Sequence, residues 1–445
     1  MRDQISNALC GVLDYASYPI GMLLVAPAVL HKLGAAEYGI WAVATAAVST
    51  GGIIAAGFGD AHIQHVARLR EPSQKPLLLH TVRSMMGISL ALGTAVALIG
   101  WFLSPLAAAH IGSESPALQH VSLISLRIAS FLMLVRALES VSISTMRAFE
   151  KYGAAIWVSI TARLISLAGA AILALSGYNT AHIMGVTAVV FVLSCWLQLV
   201  QLRRFLDAPT LLPAFEPGIT RSLFDFGIYS WLQALAGVLF GQVDRLFLGV
   251  SMGAAAVASY ALCTQLAQPI FGFSAATLHF LFPYLSNRIG KISNAAFARS
   301  LLLAFGFNIV LVGVGSAVLL LFGQRILQLW AGAAIAQIAS PILPVIVLGS
   351  ALLGLSVTGT YAMFALGHVR LVSWLSIAGG VLMLLLMPVG LHRAGIHGLA
   401  LTRLCYGGFS LLLYIPLFRY AARKPQGLHL ASAPVLHEFR EGSQS

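Results

Sequence analysis

The stretch from Val121 to Leu175 constrains this chain more than any other. Two apolar runs, Val121–Ser142 and Ala154–Leu175, are joined by a short turn, and charge lies where hydrocarbon is expected. Arg127, Arg136 and Glu139 fall in the first run and Arg163 in the middle of the second. An ionised side chain at membrane depth costs from ~3 to more than ~10 kcal/mol, so it persists only beside a partner charge, a watery cavity or a ligand. Three arginines against one glutamate leave a net positive interior. That excess predicts an anionic cargo within the bilayer, with the rest of the chain forming the cage around it.

Composition agrees with a membrane setting. Hydrophobic residues make up 59% of the chain and charged residues only 9%, against roughly 25% charged in soluble domains. The sequence predicts an all-α polytopic membrane protein of twelve spans. They are Cys10–His31, Tyr38–Phe58, Val82–Leu103, Val121–Ser142, Ala154–Leu175, His182–Leu202, Phe224–Leu248, Ala256–Leu281, Ala298–Phe322, Pro341–Leu366, Val372–Leu391 and Ile396–Phe418. Each covers ~30 Å of hydrocarbon at about 1.5 Å per residue. The first run is too long for a cleavable signal and feeds directly into a second, so it is expected to insert as a span.

A net charge of +12 would point to nucleic acid in a soluble protein, but here basic residues in loops set orientation. Of the 26 Lys and Arg residues, 18 fall on the side that carries both termini and 4 on the other. That bias places the termini in the cytoplasm. The connections Ser104–His120 and Gly323–Ser340 are the longest on the outer side, too short for a folded domain.

Pro209, Pro213 and Pro217 interrupt the pattern mid-chain. The expected organisation is an N-terminal lobe over 1–205, a linker over 206–222, a C-terminal lobe over 223–424 and a disordered tail over 425–445. The two halves repeat. Leu33-Gly34-Ala35-Ala36 recurs as Met252-Gly253-Ala254-Ala255, and Trp157-Val158-Ser159-Ile160 as Trp374-Leu375-Ser376-Ile377, at offsets of 219 and 217. Six spans per half keep the same orientation, so the repeat is parallel, about an axis along the membrane normal.

Arg136 and Glu139 are three apart on one helix face and can pair. Arg127, nine residues before Arg136, lies about half a turn round and needs another partner. A buried ion-pair network without cargo is the alternative to a binding pocket, and the charge imbalance argues against it. Arg403 in span twelve either adds a fourth cation or snorkels to the outer interface. Asp14, with Pro19 nearby, is either a proton- or cation-coupling group or an interfacial residue. Asp244-Arg245 reads as an outer-edge pair, and Asp225 lies at the other end of the same span. His62, His65 and His279 read as core residues. Cys10, Cys195, Cys263 and Cys405 have no metal or redox spacing and read as small buried hydrophobes. No phosphate loop, HExxH or acidic pair in a long outer loop is present, so neither an enzyme nor a cofactor or metal site is expected.

Three stretches resemble the Wzx-type polysaccharide flippases of the multidrug/oligosaccharidyl-lipid/polysaccharide exporter superfamily. They are Leu33-Gly34-Ala35-Ala36-Glu37-Tyr38-Gly39-Ile40-Trp41, then Gln242-Val243-Asp244-Arg245-Leu246-Phe247-Leu248-Gly249 running on to Tyr260, and Leu281-Phe282-Pro283-Tyr284-Leu285-Ser286. The resemblance implies a two-lobed, MATE-like transporter in the bacterial inner membrane. It implies an undecaprenyl-pyrophosphate-linked oligosaccharide as cargo, moved by alternating access for O-antigen or exopolysaccharide synthesis. Coupling to H+ or Na+ and contact with polymerase or assembly proteins are implied too, with membrane lipids as surroundings and no nucleic acid. On this reading Arg127, Arg136, Arg163 and Arg403 form the cationic cavity, Glu139 orients an arginine and Asp14 couples. A diphosphate suits forked guanidinium donors. The drug-exporting relatives use an acidic residue and a proline in the first helix, which Asp14 and Pro19 match loosely, so a cation-coupled multidrug antiporter is the competing reading. A membrane glycosyltransferase or polymerase fits less well, for want of acidic outer loops.

Overall fold

The computed structural model describes residues 2–149, 151–278, 281, 285 and 294–422, and these are almost wholly α-helical. The N-terminal half holds α1 (Arg2–Ala56), α2 (Gly59–Arg68), α3 (Lys75–Ile111), α4 (Pro116–Ala148), α5 (Tyr152–Leu175) and α6 (Thr180–Phe205). The C-terminal half holds α7 (Pro217–Met252), α8 (Ala254–Leu278), α9 (Asn294–Ala331), α10 (Ala333–Ala339), α11 (Leu343–Ala365), α12 (Val369–Ser410) and α13 (Tyr414–Ala422). Among the described residues, eight helices are long and apolar enough to cross a membrane.

Two of these helices are each a pair of segments. α1 breaks at Gly34 and α12 at Ala394–Gly395. The segments of α1 fold back on each other, since Met22 shares a small cavity with Thr45 and Ala46. The segments of α12 do likewise, because the backbones of Gly390 and Gly398 touch.

The sequence repeat is also a backbone repeat. Gly34 has φ 84° and ψ 174°, and Gly253, its counterpart 219 residues on, has φ 81° and ψ 179°. A side chain is strained there, so glycine recurs where each lobe's first helix turns into its second. The tyrosines that follow, Tyr38 and Tyr260, are both fully buried.

The structure differs from the sequence expectations at two places. The connections over 104–120 and 323–340 are mostly helix: α3 runs on through Pro105 to Ile111, and α9 runs to Ala331 before the positive-φ Gly332. In the first of them Ser115 caps α4, accepting from the Leu118 N–H at 3.2 Å, with Pro116 at the first turn. The last residues of the expected linker over 206–222, from Pro217, belong to α7. Lys75 pairs with Asp207 at 3.0 Å, the Arg83 Nε donates to the Leu212 carbonyl at 3.1 Å, and the Ala214 N–H donates back to the Arg83 carbonyl at 3.1 Å. These contacts strap 207–214 along α3. The tail over 425–445 lies outside the described residues.

Large apolar side chains cover the outside of the bundle, among them Phe102, Leu193, Trp196, Leu321 and Leu329. A surface of that kind suits lipid. Cys195 and Cys263 are buried as expected, whereas Cys405 is exposed on the outside of α12.

Candidate functional site

A cavity of about 500 Å³ opens among the second segment of α1, α4, α5, α6 and α8. From α4 it takes Leu132, Arg136, Glu139, Ser140 and Ile143, spaced so that one helix face points inward. Arg163 and Ser166 come from α5, Thr187 and Phe191 from α6, and Gln268 from the other lobe. The wall is thus mostly apolar with a few convergent polar groups, as ligand sites are.

Glu139 is the buried anchor of this wall, with its side chain 1% exposed. It pairs with Arg136 three residues earlier. The same carboxylate accepts from Gln198 Nε2 at 2.6 Å and from the hydroxyls of Ser159 and Ser194 at 3.2 Å each. Four donors from α4, α5 and α6 converge on one carboxylate, which offers about four lone-pair sites. Glu139 is therefore satisfied by its own lobe. Arg136 remains 27% exposed, with its guanidinium 5.2 Å from the centre of the Phe191 ring. Its fork is held at one edge and turned to the cavity at the other.

Arg245 was expected at the outer edge. α7 continues to Met252, so Arg245 lies two turns inside the helix. It lines a side chamber of about 120 Å³ with Gln242, Gln265 and Gln268, and this chamber shares Thr45, Ser49 and Gln268 with the main cavity. One Arg245 nitrogen donates to Thr264 at 2.8 Å. The inter-lobe space therefore carries Arg136, Arg163 and Arg245 against Glu139.

Two expected cavity cations stand elsewhere. Arg127 lies 4.9 Å from the centre of the Trp101 ring on α3, at the lipid side of the bundle, and does not line the cavity. Half a turn of helix separates it from Arg136, as its position in the sequence required. Arg403 pairs with Asp244 inside the C-terminal lobe, and Asp244 also accepts from the Tyr260 hydroxyl at 2.7 Å. The Asp244-Arg245 pair is thus corrected to an Asp244–Arg403 pair, closed by Tyr260 and neutral overall. Asp244→Asn leaves Arg403 buried without its acid, at a cost of about 3–5 kcal/mol, whereas Asp244→Leu with Arg403→Met recovers most of the loss. Melting of the purified protein in detergent measures this, and an unchanged midpoint for Asp244→Asn would refute the pairing.

The side chains of Asp14, Pro19, Asp225 and His279 lie outside the described residues. His62 is a core residue, hydrogen-bonded to Thr145 at 2.8 Å. Burial, with His65 beside it, pushes its ionisation down to about 3, so it is neutral at physiological pH. Sequence reading missed Ser159, Ser194 and Gln198. A glutamine and two serines in otherwise apolar spans were the available signal.

The lobes meet backbone to backbone at the end marked by Gly34 and Gly253. Gly39 packs against the carbonyl of Ala254, Tyr38 donates to Gln265 at 3.1 Å, and Trp330 donates to the Leu23 carbonyl at 2.7 Å.

Residues 9–288 match the family described as Polysaccharide biosynthesis protein. The chain belongs to that family. No curated protein matches the sequence. Among solved structures, this family member resembles an inward-facing multidrug resistance MATE family transporter of the MOP superfamily. The two share 15% identity over 92% of this chain and 98% of that one, with a TM-score of 0.73. It resembles the lipid II flippase MurJ in an inward closed conformation equally well, with 12% identity over 93% and 87% of the two chains and a TM-score of 0.73. A MOP superfamily transporter from Pyrococcus furiosus, whose binding pocket is described as of reversed polarity, aligns at 16% identity over 92% and 95% with a TM-score of 0.53. This family member thus has the two-lobed fold seen in those structures.

Proposed function

We propose that this protein is a flippase that carries undecaprenyl-pyrophosphate-linked oligosaccharide units across the bacterial inner membrane by alternating access. The repeat units would serve O-antigen or exopolysaccharide synthesis, and both termini would be cytoplasmic. The observation that carries the reading is the cation excess between the lobes. Arg136 and Arg163 line the main cavity and Arg245 the side chamber, and among the described lining residues the one acid is Glu139, which is paired with Arg136. A diphosphate leaves water for such a place because forked, charge-assisted donors replace its hydration. Arg127 and Arg403, each held by its own neighbour, have no part in this pocket. Asp14 is kept as the coupling group for H+ or Na+.

A cation-coupled multidrug antiporter is the second reading, and the likeness to a MATE family transporter favours it. The charge of the cavity opposes it for cationic drugs, since unlike charges attract and like charges are costly at this depth.

Proteoliposomes separate the two. Arg163→Ala is expected to cut transport of undecaprenyl-pyrophosphate-linked sugar at least hundredfold with insertion unchanged. Arg163→Lys should lose about tenfold, because a point charge cannot make the bidentate contact. Full transport by Arg163→Ala, or export of a fluorescent cationic drug by the wild type in place of the lipid-linked sugar, would refute the flippase.

A further inference from the structure

The second cavity of this molecule repeats the first. Adding 217 to Arg136, Glu139, Ser140 and Ile143 gives Leu353, Ser356, Val357 and Thr360, and all four line a cavity of about 310 Å³ in the C-terminal lobe. Ser159, which holds Glu139, maps by the same offset onto Ser376, another lining residue. Phe191 of α6 maps at an offset of 218 onto Phe409, which lines it too. The two lobes therefore present equivalent faces. In one the face carries arginine and glutamate, and in the other no lining residue is charged.

Four hydroxyls of the second cavity share one property. The Ser356 hydroxyl donates to the Leu353 carbonyl at 2.8 Å, Thr360 to Ser356 at 3.0 Å, Ser410 to Gly407 at 2.6 Å, and the Tyr361 hydroxyl to the Ala275 carbonyl at 3.1 Å. Each hydroxyl has one proton and two lone pairs. With the proton spent on backbone, these groups can only accept. A ligand that satisfies them must bring donors, and O–H groups on an uncharged molecule suit a wall whose described residues carry no charge. A phosphate, which only accepts, would meet these four oxygens lone pair to lone pair, and an isoprenoid tail has no donor to give. The rings of Phe409, Tyr406 and Phe271 supply flat apolar walls between the hydroxyls, which suits a molecule with alternating C–H and O–H surface. The volume falls at the lower end of the range for small-molecule sites.

We infer that the Ser356–Thr360 face of the C-terminal lobe is a saccharide subsite, where sugar residues of the cargo rest while the phosphates lie against the arginines of the other lobe. This rests on the flippase reading for its cargo, but the site itself can be tested without any phosphate. The probes are hexyl maltoside and tetraethylene glycol monohexyl ether, which share a tail. The first head is rich in O–H groups and the second offers one. Binding below the micellar concentration is followed by saturation-transfer NMR on the full-length protein in nanodiscs. The maltoside is expected to bind at least tenfold more tightly than the ether. Thr360→Val with Ser376→Ala should bring it down to the ether's level, while Arg163→Ala leaves it unchanged. Equal affinity for the two heads in the wild type would overturn the subsite and point to a tail groove. Undiminished maltoside binding in the double variant would overturn it as well. If Arg163→Ala kept full transport while the maltoside results held, the flippase would fall and the saccharide site would stand.

Discussion

Replacing Glu139 with alanine is expected to destabilise the N-terminal lobe more than any other single change within it. The substitution strips Arg136 of its acid and takes the acceptor from the hydroxyls of Ser159 and Ser194, while the Gln198 amide keeps only its longer contacts to those two hydroxyls. Breaking a buried pair by removing one partner costs about 3–5 kcal/mol. Each stranded donor adds roughly 1–3 kcal/mol where water cannot reach it. The contributions do not sum, because the cavity beside Arg136 lets water in, but even the lower bound is large against a typical ~5–15 kcal/mol of total stability. The melting midpoint of Glu139→Ala in detergent should fall well below that of Arg370→Ala, an exposed control. Glu139→Gln keeps the shape and one acceptor oxygen, so its loss should be intermediate. Removing the acid also makes the cavity more positive, so any Glu139→Gln protein that folds should bind a pyrophosphate lipid at least as tightly as wild type. A Glu139→Ala midpoint equal to that of the control would show that the four contacts contribute nothing.

The pair at the heart of that prediction was legible in the sequence because helix geometry alone brings residues three apart together. The repeat was legible for a similar reason. Gly34 and Gly253 sit at matching turns whose backbone excludes a side chain, so glycine recurs on a fixed offset. Arg403 and Asp244 are 159 residues apart and belong to different helices, so no local spacing announces their pairing. Arg245 was assigned to the outer edge because the apolar run of its span ends near Leu248. The helix itself runs four residues further, to Met252, and what decides whether an arginine faces water or a cavity is the neighbouring lobe. Local chemistry thus revealed which charges lie within the membrane. It could not sort those that line the cavity from those that pair with each other, because that depends on contacts between distant parts of the chain.

The same dependence on the neighbouring lobe makes Gly39→Val the sharpest probe of transport. A Cβ at Gly39 would stand 1.8 Å from the carbonyl oxygen of Ala254, and a backbone carbonyl in a helix cannot step aside as a flexible side chain would. Relief requires the two lobes to part at this end. Overpacking of this kind typically costs about 1–3 kcal/mol, sometimes more, and about 3 kcal/mol shifts a two-state population more than a hundredfold. Each lobe remains intact, because the clash lies between them. The variant should therefore insert and melt nearly as wild type while losing most of its transport, since alternating access needs this end to close in every cycle. Spin labels at Lys32 and Ser251, both exposed and one on each lobe, should report a longer distance in Gly39→Val than in the wild type. Gly34→Ala is the contrast, because its Cβ would meet no atom within 4 Å and only the φ of +84° is strained. It should lower stability by about 1–3 kcal/mol through backbone strain alone and leave the inter-lobe distance unchanged. If Gly39→Val transported normally at an unaltered label distance, closure at this end would have no part in the cycle.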